Sequence, residues 1–141
     1  MLKDILAISG RPGLYKLVTY GKNVIIVENL TDKKRSTAHQ RDKVISLGDI
    51  SMYTQDGDKP LGEVLDSIKI KYNEQPLNLE EYKTAEALQE FFKGVVPNFD
   101  ADRVYNTDIK KLINWYNVLI TSGITDFLPK EDEEQENKDT K

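Results

Sequence analysis

The sequence of 141 residues contains no cysteine and a single histidine, His39. Without cysteine the chain cannot form a disulfide bond, a thiolate nucleophile or a cysteine-based zinc site. One histidine also cannot build a metal site on a pair of histidines, such as the H-E-x-x-H motif. These absences exclude the common thiol and zinc chemistries.

Nucleotide-binding loops and long apolar runs are missing as well. Neither G-x-x-x-x-G-K-[ST] nor G-x-G-x-x-G occurs, so the usual phosphate-binding loops are excluded. The early apolar run "ILAI" (5–8) is too short for a signal peptide, and no later run approaches the ~20 apolar residues of a membrane span. We therefore expect a cytoplasmic protein with no cofactor, no bound metal and no membrane contact.

Charge is distributed unevenly along the chain, whose net charge is −4. Residues 1–56 carry 9 lysines and arginines against 6 acids, whereas residues 57–141 carry 11 against 18. Such asymmetry is typical of a first half that faces a polyanion, but it also suits two halves that attract each other.

The first half of the sequence predicts β-structure. Two runs rich in β-branched residues and tyrosine, "GLYKLVTY" (13–20) and "NVIIVENL" (23–30), flank Gly21-Lys22, which predicts a two-residue hairpin turn. The weaker runs "STAH", "KVISL" and "ISMYT" follow. We expect a small curled β-sheet or partly open barrel, covered by a short N-terminal helix in "LKDILAI" (2–8).

The second half predicts three helices, because apolar residues recur there at helical spacing. The first is expected within residues 58–72, the second between Thr84 and Pro97, and the third between Thr107 and Gly123. The fold class is therefore α+β, with a β-domain at residues 1–56 and a helical domain at 57–128. Residues 129–141 contain no large apolar residue and are predicted to be a disordered acidic tail.

Four stretches of the sequence are distinctive together: "LKDILAISGRPGLYKL", "VENLTDKKR", "RDKVISLGDISMYT" and "VPNFDADRVYNTDIKKLINWYNVLITSGITDF". Through them the chain resembles an uncharacterised family of small Bacteroidetes proteins over most of residues 1–128. The resemblance implies an N-terminal domain of unknown function followed by a helical one, with a boundary near residue 56. It implies no activity, cofactor or catalytic residue.

A basic stretch, "TDKKRSTAHQRDK" (31–43), stands out in this acidic protein. Phosphate contacts from such a stretch would give weak, largely sequence-nonspecific nucleic-acid binding. The competing interpretation is a strand edge that lysines keep soluble, and it is favoured because no aromatic residue interleaves with the basic ones. The candidate anion-binding residues are Lys33, Lys34, Arg35, Arg41 and Lys43.

Other residues of interest in the β-half are aromatic. Tyr15, Tyr20 and Tyr53 are the candidates for stacking on bases. His39 lies inside the basic stretch, and a lone histidine in such a position is most often a surface side chain.

The single tryptophan, Trp115, lies in "INWYN" (113–117), on the flank of the apolar stripe of the last predicted helix. It is interpreted either as a residue that packs the helices onto the β-domain, which is favoured, or as a half-exposed anchor for a partner.

Two acid pairs are candidates for metal or catalytic sites. Asp56 and Asp58 resemble a calcium loop, but Pro60 and the spacing to Glu63 break its pattern. Asp100 and Asp102 are explained by helix capping. The sequence therefore predicts a non-enzymatic binding or adaptor module that contacts a protein through its helical half or the groove between the halves. Nucleic-acid binding is the alternative, and a hydrolase that uses paired carboxylates is third. The oligomeric state is left open.

Overall fold

Five short antiparallel strands form the first half of the molecule, in a computed structural model that describes residues 2–11, 13–39 and 42–128. They lie side by side in the order β4-β3-β2-β1-β5. Their bounds are β1 Ile5–Ile8, β2 Tyr15–Gly21, β3 Val24–Asn29, β4 Arg35–His39 and β5 Val44–Ser46.

The sheet curls until its two edge strands approach each other. Ala38 on β4 and Val44 on β5 both contact one apolar cluster inside the curl, together with Leu6, Ile8 and Val27 from the central strands. Within the described residues β4 and β5 do not pair with each other, so the barrel is not closed. The predicted α+β class with a small curled sheet is confirmed.

Arg11 bridges the gap between the edge strands. Its Nη2 atom donates a hydrogen bond of 3.0 Å to the carbonyl oxygen of Thr37 on β4. The same atom lies 3.6 Å from the Asp42 carboxylate, just before β5. Arg11 therefore occupies a backbone acceptor on the outer edge of β4 that another strand would otherwise use.

The predicted N-terminal helix over residues 2–8 is wrong beyond its first turn. Only Leu2–Asp4 form a 3₁₀ turn, and Ile5–Ile8 form strand β1. This strand lies between β2 and β5 and is covered on both faces: Ile5 contacts the helices, and Leu6 lies inside the curl. A strand buried on both faces has a continuous apolar sequence without alternation, which periodicity cannot distinguish from a helix.

The hairpin turn between β2 and β3 lies one residue later than predicted. Gly21 pairs with Val24, so Lys22 and Asn23 are the turn residues. Asn23 adopts a φ of 61°, and asparagine is one of the few residues that tolerates this left-handed conformation.

The second half begins with a hairpin and continues with three helices. The hairpin pairs β6 (Ser51–Thr54) with β7 (Gly57–Pro60). Strand β7 was not predicted, because "GDKP" contains no apolar residue. The helices are α1 (Leu61–Lys71), α2 (Ala85–Val95) and α3 (Asn106–Thr121). The Thr84 hydroxyl caps α2 as predicted, since it accepts a hydrogen bond of 3.1 Å from the amide of Ala87.

One apolar core joins the two halves. Leu2, Ile5, Leu14 and Leu47 from the first half belong to the same buried cluster as the inner faces of all three helices. Residue 56 lies in the turn between the paired strands β6 and β7. The division into domains at 1–56 and 57–128 stays a prediction, and the predicted tail, 129–141, lies outside the described residues.

No helix in the described ranges combines the length and the apolar character needed to cross a membrane.

Candidate protein-binding groove between β6 and α3

A groove of about 190 Å³ separates β6 from α3. We call it the β6–α3 groove. Its apolar lining consists of Ile50 just before β6, Met52 on β6, Leu61 at the start of α1, and Val104, Leu112 and Trp115 on or just before α3. The groove therefore lies where the hairpin, the first helix and the last helix meet.

Trp115 reaches the groove because of its position on α3. Leu112 and Tyr116, on the apolar stripe of the helix, are almost fully buried. Trp115 lies at the flank of that stripe, where it is half-buried and packs against the main core. Trp115 therefore packs against the core and also lines the groove, and its role as a partner anchor stays a prediction.

Arg103 and Tyr53 form one rim of the groove. The guanidinium of Arg103 lies 4.1 Å from the centroid of the Tyr53 ring, which is a cation–π geometry. Its Nε atom also donates a hydrogen bond of 3.1 Å to the Asp100 carboxylate. The ring and the carboxylate together restrict the position of Arg103 beside the groove.

Lys111, on α3, also lines the groove. The nearby Asp108 carboxylate accepts a hydrogen bond of 3.0 Å from the backbone amide of Tyr105, an interaction that satisfies a free donor at the start of the helix. Lys111 is exposed, and none of the described acidic residues forms an ion pair with it. The groove lining therefore carries two basic residues, Arg103 and Lys111, and one acidic residue, Asp108.

The basic stretch is divided between the two ends of β4. Lys33, Lys34 and Arg35 lie in the turn before the strand and at its first position, whereas Lys43 follows it. Because β4 has five residues, the two groups are roughly 13 Å apart at ~3.3 Å per residue. Arg41 lies outside the described residues. The structure therefore does not bring the described candidates together in one cluster.

Neighbouring acids also reduce the positive field of this stretch. The Arg35 guanidinium lies 3.3 Å from the Glu28 carboxylate across the β3–β4 pair. The Asp32 carboxylate accepts a hydrogen bond of 2.9 Å from the amide of Lys34. Lys33, Lys34 and Lys43 are exposed, and their role in nucleic-acid binding stays a prediction.

His39 is a surface side chain, as expected. Its backbone amide donates a hydrogen bond of 2.8 Å to the Asp42 carboxylate, just before β5. The residue lines an open cavity of about 410 Å³ at the gap between β4 and β5, together with Tyr20 and Val44.

The three tyrosines expected to stack on bases are dispersed. Tyr15 is buried inside the curled sheet at 8% exposure, so its assignment as a stacking residue is wrong. Tyr20 is 75% exposed but lies at the opposite end of β3 and β4 from Lys34. Tyr53 is in contact with Arg103 at the β6–α3 groove.

The acid pairs take part in local turn structure. The Asp56 carboxylate accepts a hydrogen bond of 2.6 Å from the side chain of Asn98. The Asp100 carboxylate accepts one of 3.0 Å from the amide of Asp102. Asp100 organises a single turn before α3 and does not cap that helix, which begins at Asn106. Across the described ranges, no three acidic or histidine side chains lie close enough together to hold a metal ion.

Two of the groove residues, Trp115 and Tyr53, have a signal in the sequence, whereas Arg103 and Lys111 have none. Arg103 and Lys111 were not singled out, because isolated basic residues in a helical region carry no signal until the fold places them beside a groove. The alternation of "SMYT" was an available signal: Met52 and Thr54 are buried, and Ser51 and Tyr53 are exposed.

Comparison with known proteins agrees with the resemblance noted in the sequence. Residues 2–47 match the domain of unknown function DUF5606, and residues 50–119 match the domain of unknown function DUF6852. A solution NMR structure from Bacteroides vulgatus, solved by the Northeast Structural Genomics Consortium, is 53% identical and superposes with a TM-score of 0.75. The alignment covers 90% of this chain and 91% of that one. No curated protein is significantly similar to the chain.

Proposed function

The chain belongs to the family that joins DUF5606 to DUF6852, and on that premise we propose that it is a non-enzymatic, cytoplasmic binding module that contacts a protein partner through the β6–α3 groove. The observation that carries the proposal is the position of Trp115. This residue, the only tryptophan in the sequence, is half-buried and lines a mainly apolar groove that also contains the exposed Lys111.

The size and lining of the groove support a protein partner. Its volume of about 190 Å³ is below the ~300–1,000 Å³ that is usual for sites that enclose drug-sized ligands. A groove of this size suits one large side chain of a partner. Tryptophan and arginine are both over-represented among the residues that contribute most to protein–protein binding.

The surroundings of the acid pairs support a non-enzymatic role. The Asp56 and Asp100 carboxylates accept hydrogen bonds from neighbouring side-chain and backbone groups, and Asp100 also pairs with Arg103. General acid–base catalysis requires carboxyl groups that face a substrate site. The compartment is tested separately by cell fractionation.

The test compares three versions of the full chain as bait in a Bacteroides lysate: wild type, Trp115→Ala and Tyr20→Ala. Tyr20 is the matched control, because it is an exposed aromatic residue that does not line the groove. Each retained protein is then purified and titrated against the three baits by calorimetry.

We expect a partner whose dissociation constant rises at least tenfold with Trp115→Ala, as is usual for an interface hot spot, and is unchanged with Tyr20→Ala. Circular dichroism checks that Trp115→Ala is folded. A partner that binds wild type and Trp115→Ala equally well would show that the groove is not the interface.

A further inference from the structure

Strand β6 has one paired edge and one edge that is free over half its length. On the paired side, Leu61 donates its amide hydrogen to the carbonyl oxygen of Ile50, and Ser51 lies opposite Pro60. In an antiparallel ladder the hydrogen-bonded and non-hydrogen-bonded pairs alternate. Ser51 and Tyr53 therefore direct their backbone groups away from β7.

The segment that follows α2 covers only the far end of this outer edge. The amide of Asp100 donates to the carbonyl oxygen of Tyr53, and the amide of Gln55 donates to the carbonyl oxygen of Asn98. Within the part of the chain that the structure describes, the amide and carbonyl of Ser51 and the amide of Tyr53 have no backbone partner. Both residues are exposed.

These three free backbone groups lie beside the β6–α3 groove, since Ser51 and Tyr53 belong to its lining. An exposed strand edge is a ready template for another strand, and proteins usually block such edges. The outer edge of β4 is partly blocked by Arg11, which occupies the carbonyl of Thr37. No described side chain does the same at Ser51.

We propose that the partner binds as an extended segment that adds a strand to the free edge of β6, inserts an apolar side chain between Met52 and Trp115, and places an acidic side chain beside Lys111. This inference rests on the proposed function and specifies how the same groove is used. In this mode of recognition, main-chain hydrogen bonds supply affinity and pockets for alternate side chains supply specificity.

Charge and composition identify the occupant as an apolar and acidic segment of another protein. Asp108 also lines the groove, and its carboxylate accepts a hydrogen bond from the Tyr105 amide. Lys111 is exposed and forms no ion pair with the described acidic residues, so its cation is available to an acidic residue of the segment. The chain's own residues 129–141 are acidic but contain no large apolar residue for the groove. A separate partner can supply both the apolar and the acidic side chain.

Ser51→Pro is the variant that tests strand addition. Proline removes the amide hydrogen of residue 51, which points away from β7, so the β6–β7 hairpin keeps its hydrogen bonds. The preceding residue, Ile50, already has the extended conformation that a residue before proline requires, with φ −91° and ψ 139°. Ser51→Ala is the matched control, because it removes the hydroxyl and keeps the amide.

The probe is a displayed library of random twelve-residue peptides, selected on the full chain and counter-selected on Ser51→Pro. We expect enrichment of peptides with an apolar residue and an acidic residue two positions apart, the spacing of side chains on one face of a strand. We expect Ser51→Pro to weaken their binding at least tenfold, while Ser51→Ala leaves it unchanged. The fluorescence of Trp115 reports binding directly.

A second measurement does not depend on the fold of Ser51→Pro. A selected peptide is N-methylated at every second amide in two complementary sets, because only one set faces β6 when the peptide is a strand. One set should abolish binding and the other should preserve it. Equal effects of the two sets, no enrichment, or enriched apolar residues at helical spacing would overturn strand addition.

The two levels of the proposal fail in different ways. Partner binding that is lost with Trp115→Ala but kept with Ser51→Pro would show that the groove is the interface but that the partner does not add a strand to β6. A concentration-dependent dimer in sedimentation velocity that disappears with Ser51→Pro would assign the edge to a second copy of the chain, and would also overturn the proposed peptide partner.

Discussion

The side chain of Asn117 holds the connector between α1 and α2 against α3. Its Oδ1 atom accepts a hydrogen bond of 2.7 Å from the amide of Leu77, and its Nδ2 atom donates one of 2.8 Å to the carbonyl of the same residue. One side-chain amide thus satisfies both backbone groups of Leu77, whose side chain is 7% exposed in the core.

Asn117→Ala removes both hydrogen bonds and leaves two part-buried backbone groups without a partner. Each hydrogen bond contributes ~1 kcal/mol net, and unsatisfied groups raise the cost, so the loss is about 2–3 kcal/mol. Alanine is the better helix former by roughly 0.6 kcal/mol. We expect a net decrease in the free energy of unfolding of about 2 kcal/mol.

Urea denaturation followed by circular dichroism measures this decrease. With a slope of ~2 kcal/mol per molar urea, the unfolding midpoint should fall by about 1 M. Asn114→Ala is the matched control, because Asn114 is an exposed asparagine on the same helix with the same gain in helix propensity. Hydrogen exchange at the Leu77 amide should accelerate only in Asn117→Ala. Equal midpoints for the two variants would refute the reasoning.

Three further predictions concern packing, pH and charge. Gly62→Ala should destabilise the protein by ~1–3 kcal/mol in thermal denaturation, because a Cβ would collide with the carbonyl oxygen of Phe127. Gly94→Ala is the control and should be neutral or stabilising, because a Cβ there meets only a flexible lysine side chain; a larger loss of stability in Gly94→Ala than in Gly62→Ala would contradict this. Burial raises the pKa of Tyr82 from 10.0 to about 12, so as the pH rises the unfolded state loses this proton before the folded state does. The free energy of unfolding should therefore fall between pH 10 and pH 12 by more in wild type than in Tyr82→Phe, and parallel pH profiles of the two proteins would contradict this. Short DNA and RNA duplexes titrated at several salt concentrations should bind more weakly than micromolar, because the basic stretch is divided; tighter binding that is lost on charge reversal at residues 34–35 would revive the nucleic-acid hypothesis.

Local sequence signals predicted the existence of the three helices and some of their ends, although α3 begins at Asn106 with Tyr105 as its N-cap and not at the predicted Thr107. The hydroxyl of Thr84 caps α2, and Gly123 follows α3 with a φ of 82°. These features depend on interactions between residues a few positions apart, so the sequence contains all the information that they require. The same holds for the hairpin of β2 and β3, which was placed correctly to within one residue.

Strands without a local signal were missed. The apolar run of β1 predicts a helix, because its burial on both faces comes from strands and helices that are distant in sequence. β7 was missed because its pairing with β6 uses the backbone alone, and "GDKP" has no apolar residue that marks it. The burial of Tyr15 also has no local signal, because the curl of the sheet that buries this side chain depends on all five strands together.

The candidate site shows the same division. The sequence by itself determined the α+β class, the three helices and the position of Trp115 on the flank of the last one, because periodicity and capping act within single elements. Only the tertiary structure decided that Lys34 and Lys43 lie at opposite ends of a strand, and that Lys111 and Trp115 face the free edge of β6. A groove is formed by side chains and backbone groups from separate elements, and its residues become neighbours only when those elements pack together.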